Sequence, residues 1–273
     1  EEIINVTRTD ITDETYDLFN RARAVILCGG PAYQSHIYPT IYPIDLSRIT
    51  VPVVPMGLGY KSKIDVPAND FEFTPQSQEF IKNIHTSIPM SSVRDDLTLN
   101  VIKALGIDNV SMTGCPVWYD LDYTDVDFEY SDTVDQIIVS MPARYHSSIP
   151  KLLKYLKNRY PKAKKVATFH HGFFPRFTLR GLKVGLEFLH MALWAWFYGF
   201  SNKDLSSDTD KLKIYDAKNS LHIGYRVHGH LYCLSHKMPS FLINEDTRGA
   251  GQALSTGLAG FDYDDPDLIK TVS

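Results

Sequence analysis

The residues best suited to chemistry stand in Gly224-Tyr225-Arg226-Val227-His228-Gly229-His230. A planar guanidinium grips a carboxylate or phosphate through two parallel hydrogen bonds. A histidine near its ordinary pKa gives or takes a proton at neutral pH. Arg226 and His228 together suit an acidic substrate that must be protonated. They point the same way if the apolar strand before them continues through both, because alternate strand residues share a face. The competing reading is a structural Arg–carboxylate pair beside a capping histidine, and spacing divides the two evenly. A second cation sits in Ser91-Ser92-Val93-Arg94-Asp95-Asp96. Here a helix start favours an anion and Arg94 adds a full charge. The plain alternative is that Arg94 pairs with Asp95 or Asp96 and holds the turn.

Around these cations stand residues able to line a ligand. Gly29-Gly30 and the Gly57-Leu58-Gly59 pair follow short apolar runs, where glycine permits close backbone approach but also makes ordinary turns. His170 and His171 follow a third run, and His230 lies just past His228. These histidines are candidates for an acceptor pocket, against a structural role for the pair His170-His171. No H-E-x-x-H or carboxylate pattern accompanies them, so no metal is expected. A G-x-x-x-x-G-K-[ST] loop, a G-x-G-x-x-G fingerprint and a G-x-S-x-G elbow are all missing from the sequence.

Positioning such residues needs strands that end at them. Apolar runs at Ala24–Cys28, Val51–Pro55, Ser91–Arg94 and Asn109–Thr113 predict strands in the first half. Runs at Gln136–Met141, Val166–Phe169, Leu212–Tyr215, His222–Tyr225 and Ser240–Ile243 do so in the second. Helices are predicted after Asp95 or Asp96, over Ile149–Arg159, and from Gly251–Gly257. Gly181–Phe200 is predicted as an amphipathic helix that buries the stripe Leu182, Leu186, Leu189, Leu193 and Phe197. Its Leu193-Trp194-Ala195-Trp196-Phe197-Tyr198 end leaves contact with a membrane surface open as the lesser reading. The acidic stretch Asp120–Asp135 reads as an interdomain linker. Alternating strands and helices imply parallel sheets covered on both faces, in an α/β fold of two Rossmann-like domains facing a cleft. The boundary is expected at residues 1–125 and 126–273. Ligands of such sheets lie beyond the carboxyl ends of the strands.

Composition sets the bounds. The 273 residues are 44% hydrophobic and 22% charged, as in an ordinary globular protein, and the net charge is −4. That balance argues against nucleic acid as a partner, which needs basic patches. Three scattered cysteines, Cys28, Cys115 and Cys233, read as reduced thiols of a cytoplasmic protein. No transmembrane segment is expected, and peripheral contact at the inner membrane face stays open.

Four motifs in order resemble the polysaccharide pyruvyl transferase family. They are Leu27-Cys28-Gly29-Gly30, then Val93-Arg94-Asp95 with Leu105-Gly106, then Thr113-Gly114-Cys115-Pro116. The fourth is Arg226-Val227-His228 with Pro239-Ser240-Phe241-Leu242-Ile243. The resemblance spans about Ala24 to Leu258. It implies a fold similar to B-type glycosyltransferases and transfer of the pyruvyl group of phosphoenolpyruvate to sugar hydroxyls as a ketal. It implies that Arg94 and Arg226 hold the donor and His228 is the general acid. Phosphoenolpyruvate is then a co-substrate with no cofactor, and the acceptor is a sugar or oligosaccharide, free or lipid-linked. Many members carry an Asn-x-Gly-Asp stretch that does not precede Ala24 here, so either the start is cut away or this branch lacks it. The rival readings are a nucleotide-sugar-dependent glycosyltransferase of the same architecture and a non-catalytic carbohydrate-binding domain.

Overall fold

The computed structural model describes residues 2–8, 10–64, 70–128, 131–171, 179–206, 208–258, 260–265 and 268. The chain is a mixed α/β protein in two units, residues 1–116 with 246–258, and residues 117–245 with 259–273. The segment 246–258, expected with the second half, groups with the first.

In the first unit, α1 (Asp13–Arg21) begins at a capping box in which Thr12 and Thr15 satisfy each other's backbone. Short apolar runs form parallel pairs: β1 (Val25–Cys28) with β2 (Val53–Met56), and β3 (Ser91–Val93) with β4 (Val110–Met112). A bridge from Leu58 to Val93 joins the pairs. Thr74 caps α2 (Pro75–Thr86), with Pro75 in the first turn where its missing N–H costs nothing. Asp95 caps α3 (Asp96–Lys103) by accepting the Thr98 N–H. Phe80, Ile81 and Ile84 of α2 and Val101 and Ile102 of α3 close over the strands.

The second unit carries six parallel strands. They are β5 (Gln136–Ser140), β6 (Lys164–Phe169), β7 (Ser201–Asp204), β8 (Ser220–Gly224), β9 (Ser240–Asn244) and β10 (Gly260–Asp262). Their spatial order is β10-β9-β8-β5-β6-β7. Relabelled from the first strand of the unit this is 3-2-1-4-5-6, the doubly wound order, whose switch point lies between β5 and β8. Helices α4 (Ser148–Arg159) and α5 (Leu179–Phe197) pack Leu152, Leu153, Leu156, Phe188 and Met191 against Ile137, Val139, Ala167 and Ile223. The other sheet face packs Ile138 and Val166 against Tyr215 and Cys233, the latter on α6 (Val227–Ser235). After β9 the chain returns to the first unit as α7 (Thr247–Thr256), closed by Gly257 in the left-handed conformation.

Several expectations change. Leu212–Tyr215 is not a strand but part of a 3-10 segment, Thr209–Asp216. Its alternating apolar pattern imitates a strand, yet Asp208 accepts the Asp210 N–H and starts a helical turn. The stripe on α5 is inverted. Leu182, Leu186, Leu189, Leu193 and Phe197 face solvent, whereas Gly181, Phe188, Met191, Ala192 and Ala195 are buried. The helix thus carries two apolar faces and buries the one that holds Phe188, Met191 and the alanines. Near the start of the acidic stretch Tyr123 stacks on His236, and Asp120 and Asp216 flank that ring, while most of its other described residues are exposed. Among the described residues no helix is long and apolar enough to cross a membrane.

His85 on α2 is fully buried, with Tyr33 Oη 2.8 Å from its Nε2 and Ser91 Oγ at its Nδ1. Burial pushes its pKa down to about 4. The unfolded chain therefore takes up a proton before the folded one, so stability falls as pH drops from about 6.5 to about 4. His85→Gln should lessen that fall by on the order of 3 kcal/mol. Urea titrations at pH 7 and pH 4.5 measure it, and an undiminished pH slope would show that the ring is not held neutral.

Candidate functional site

The switch point of the second unit is built around one hydroxyl. Ser140 ends β5 and is fully buried. Its Oγ accepts the Arg226 N–H at 3.2 Å and lies 2.8 Å from His222 Nε2. Gly224, the last residue of β8, rests directly on it, since a Cβ there would come within 2.3 Å of Ser140 Oγ. Strand β8 therefore stops at Gly224 and the chain turns at once into α6, with Arg226 as the N-cap residue. The expected continuation of the strand through Arg226 and His228 does not occur. The turn instead sets Arg226 at the cap and His228 in the first helical turn, beyond the carboxyl end of β8.

Helices α6 and α4 have no side-chain cap, whereas α1, α2, α3 and α7 are capped by Thr12, Thr74, Asp95 and Asp246. First-turn N–H groups project from a helix start and carry partial positive charge. Arg226 adds a guanidinium that is mostly buried, with Nη1 3.8 Å from Glu245 Oε2. Glu245 is itself fixed by the Ala143 N–H, which donates to its Oε1 at 2.8 Å. The structural pairing foreseen for Arg226 is therefore present, and it aims the cation. His228 is exposed.

The neighbouring histidines are different. His170, at the end of β6, has its Nε2 2.9 Å from Tyr215 Oη. Burial drives its pKa down to about 3, and Arg226, His171 and His228 push the same way. Those three are thus close enough to His170 to act on it electrostatically, so the structure gathers His170, His171, Arg226 and His228 in one region. His171 is exposed. His230 turns inward, is held near pKa 4 by burial, and places Nδ1 2.7 Å from Ser240 Oγ. That same oxygen lies 2.6 Å from His222 Nδ1. One hydroxyl has one proton, so at least one of the two rings donates to Ser240. Ser140, His222, Ser240 and His230 form a continuous hydrogen-bonded ladder behind the turn. The sequence reading missed Ser140, His222, Ser240 and Glu245. The signal available was a histidine inside an apolar strand.

In the first unit, Arg94 follows β3 with its side chain wholly buried and its Nε donating to Asp95 Oδ2 at 3.1 Å. Its guanidinium lies over Gly59, where a Cβ would stand 2.1 Å from Nη2. Neither terminal nitrogen has a hydrogen-bond partner among the described residues. Asp95 also accepts from Thr98 N and Oγ1, and α7 closes over it, with Gly251 against the carboxylate and Gln252 Nε2 on the Arg94 carbonyl. Contact between Arg94 and a ligand would require the side chain to leave this position. Gly29, Gly30 and Gly57 all have positive φ, and a Cβ on Gly29 or Gly30 would meet nothing. Gly57 packs on Pro116.

A cavity of about 390 Å³ lies at the opposite, amino edge of the second sheet, lined by Tyr123, Asp216, Asn219 and His236. The strand ends and their charges favour the switch point over it as the seat of chemistry. Among the described residues no cluster of His, Cys, Asp and Glu could hold a metal ion.

The fold is thus an α/β one, with a doubly wound sheet that carries an Arg-x-His turn at its switch point. The sequence profile of the polysaccharide pyruvyl transferases matches residues 1–247, and the chain belongs to that family, a family of transferases. Comparison with curated protein sequences finds no match. Among solved structures, the UDP co-structure of S. aureus MnaA is similar with a TM-score of 0.50 at 12% identity. The alignment covers 99% of this chain and 71% of that one. The likeness is one of fold.

The Gly59–Arg94 contact gives a direct test. Gly59→Ala should destabilise the protein by ~1–3 kcal/mol through overpacking. In an Arg94→Ala background most of that penalty should vanish, because the clashing group is gone. Additive losses in urea unfolding would mean that the guanidinium does not rest on Gly59.

Proposed function

We propose that the chain transfers the pyruvyl group of phosphoenolpyruvate to two hydroxyls of one sugar in a glycan or its precursor, forming a cyclic ketal. The observation that carries this reading is Arg226 and His228 together at the uncapped start of α6, at the switch point of a doubly wound sheet. Membership of the family supports pyruvyl transfer to a sugar.

The chemistry uses those groups as follows. The helix start and Arg226 bind the donor's negative charge and offset the charge on the departing phosphate. His228 gives a proton to the methylene carbon, which becomes a methyl group and leaves C2 electron-poor. A sugar hydroxyl adds to C2 and loses its proton. A second hydroxyl then displaces inorganic phosphate and closes the ketal. The net change is one enolpyruvyl phosphate and one diol to one ketal and one phosphate, without a metal or organic cofactor.

Exposed His171 is a candidate contact for the acceptor, whereas inward-turned His170 and His230 shape the pocket wall. The burial of Arg94 favours a role in holding the glycine turn and α7 in place over direct donor contact. The parallel pairs β1–β2 and β3–β4 support a second Rossmann-like half.

Arg226→Lys keeps charge but loses the two-pronged grip. It should raise the apparent KM for phosphoenolpyruvate and lower turnover. His228→Gln should bind phosphoenolpyruvate nearly normally by calorimetry yet turn over ~10²- to 10⁴-fold more slowly. In deuterated water the wild type should place one deuterium in the pyruvyl methyl. Full turnover by His228→Gln would remove it as the acid. Calorimetric binding of a nucleotide sugar, with none of phosphoenolpyruvate, would replace pyruvyl transfer with glycosyl transfer.

A further inference from the structure

Helix α5 presents to solvent a face that sequence patterning assigns to the interior. Leu182, Leu186, Leu189, Leu193, Trp196 and Phe197 are all more than half exposed, and Trp196 reaches 72%. At 100° per residue these six fall within a single apolar stripe about 100° wide. The opposite face, with Phe188 and Met191, is committed to the core of the second unit. The stripe is therefore not a misplaced core surface. Contiguous exposed apolar area of this kind marks a binding surface.

Charge on the neighbouring helix selects the occupant. Residues 136–186 contain eleven Lys and Arg and no Asp or Glu, in a chain whose net charge is −4. Helix α4 packs beside α5 on the same sheet face and exposes Lys151, Lys154, Lys157 and Arg159. Lys157 reaches across to α5, its Nζ 5.9 Å from the ring of Tyr198. The one acid on α5, Glu187, is paired with Arg144. A leucine stripe ending in Trp and Phe, bordered by lysines, matches a helix lying in the plane of an anionic bilayer surface. A second copy of this chain fits less well. A two-fold contact through the stripe sets the same patch against itself and brings like charges together.

We propose that α5 and α4 form a docking surface for an anionic lipid bilayer, with the leucine stripe entering the headgroup boundary and the α4 cations on the lipid phosphates. The proposal is independent of the reaction assigned to the Arg226–His228 turn.

Co-sedimentation of the full chain with vesicles tests it. Binding should be at least tenfold stronger to 30% phosphatidylglycerol in phosphatidylcholine than to phosphatidylcholine alone, and should weaken as salt rises. Leu189→Glu and Trp196→Glu should each reduce it at least tenfold without lowering the melting temperature, since both side chains are exposed. Lys154→Glu with Lys157→Glu should reduce it on the anionic vesicles only. Three results would overturn the proposal. They are no binding at low salt, binding unchanged in the α5 variants, and a dimer seen by light scattering that Leu189→Glu converts to monomer.

Discussion

The buried hydroxyl of Ser140 is the constraint on which the second unit's site depends. Strand β5 ends there, β8 ends against it at Gly224, and the Arg226 backbone donates to it. A Cβ at position 224 would collide with both the side chain and the backbone of Ser140, so only glycine fits there. The chain then leaves the sheet and enters α6, with a guanidinium at its N-cap and an imidazole in its first turn. Satisfying Ser140 and His222 from each other also removes the cost of two polar groups in the sheet interior. A ladder with every member bonded holds the turn more firmly than apolar packing would, because displacing one group leaves another unpaired.

A similar economy operates in the first unit. The side chain of Asp95 accepts from Arg94, from the helix N–H of Thr98 and from the Thr98 hydroxyl. One carboxylate thus caps a helix, neutralises a buried cation and seats α7 through Gly251. Removing it would leave the Arg94 charge unpaired out of water, which is the costly way to break a buried pair. The Arg-Asp motif is legible in sequence for this reason, but its orientation is not. Spacing shows a cation at a strand end and cannot show whether it points outward to a ligand or inward over Gly59.

The same division between period and direction explains the other differences. The strands β1 to β6, β8 and β9 were readable because each is a short apolar run closed by Gly, Pro or a polar cap. Helix α2 was overlooked although Thr74-Pro75 and the spacing of Phe80, Ile81 and Ile84 announce it. Strand β7, Ser-Asn-Lys-Asp, has no apolar period at all and exists only because β6 offers it an edge. Helix α5 shows the limit most clearly. Its leucine period was correctly read as helical, but a helix with two apolar faces does not declare which one the core will take. The face with Phe188, Met191, Ala192 and Ala195 is the one that lies inside.

Burial also sorts the histidines, and this bears on which one can act as an acid. A proton donor must carry its proton when the cycle begins. Burial holds His170 near pKa 3 and His146 and His230 near 4, and it takes His222 well below its ordinary value. At neutral pH all four are uncharged hydrogen-bonding groups, suited to fixing geometry. His228 is exposed in the first turn of α6, and an anionic donor bound there, as proposed, would favour the charged imidazolium. His171 is exposed as well, but it follows β6 rather than standing on a helix start beside Arg226. Arg226 lowers the pKa of His170, so its positive charge is felt across this region. With no anion bound, the same charge disfavours protonation of any nearby ring. In the proposed reaction, a donor carrying carboxylate and phosphate would reverse that sign, so substrate binding would itself supply the condition under which His228 holds a proton.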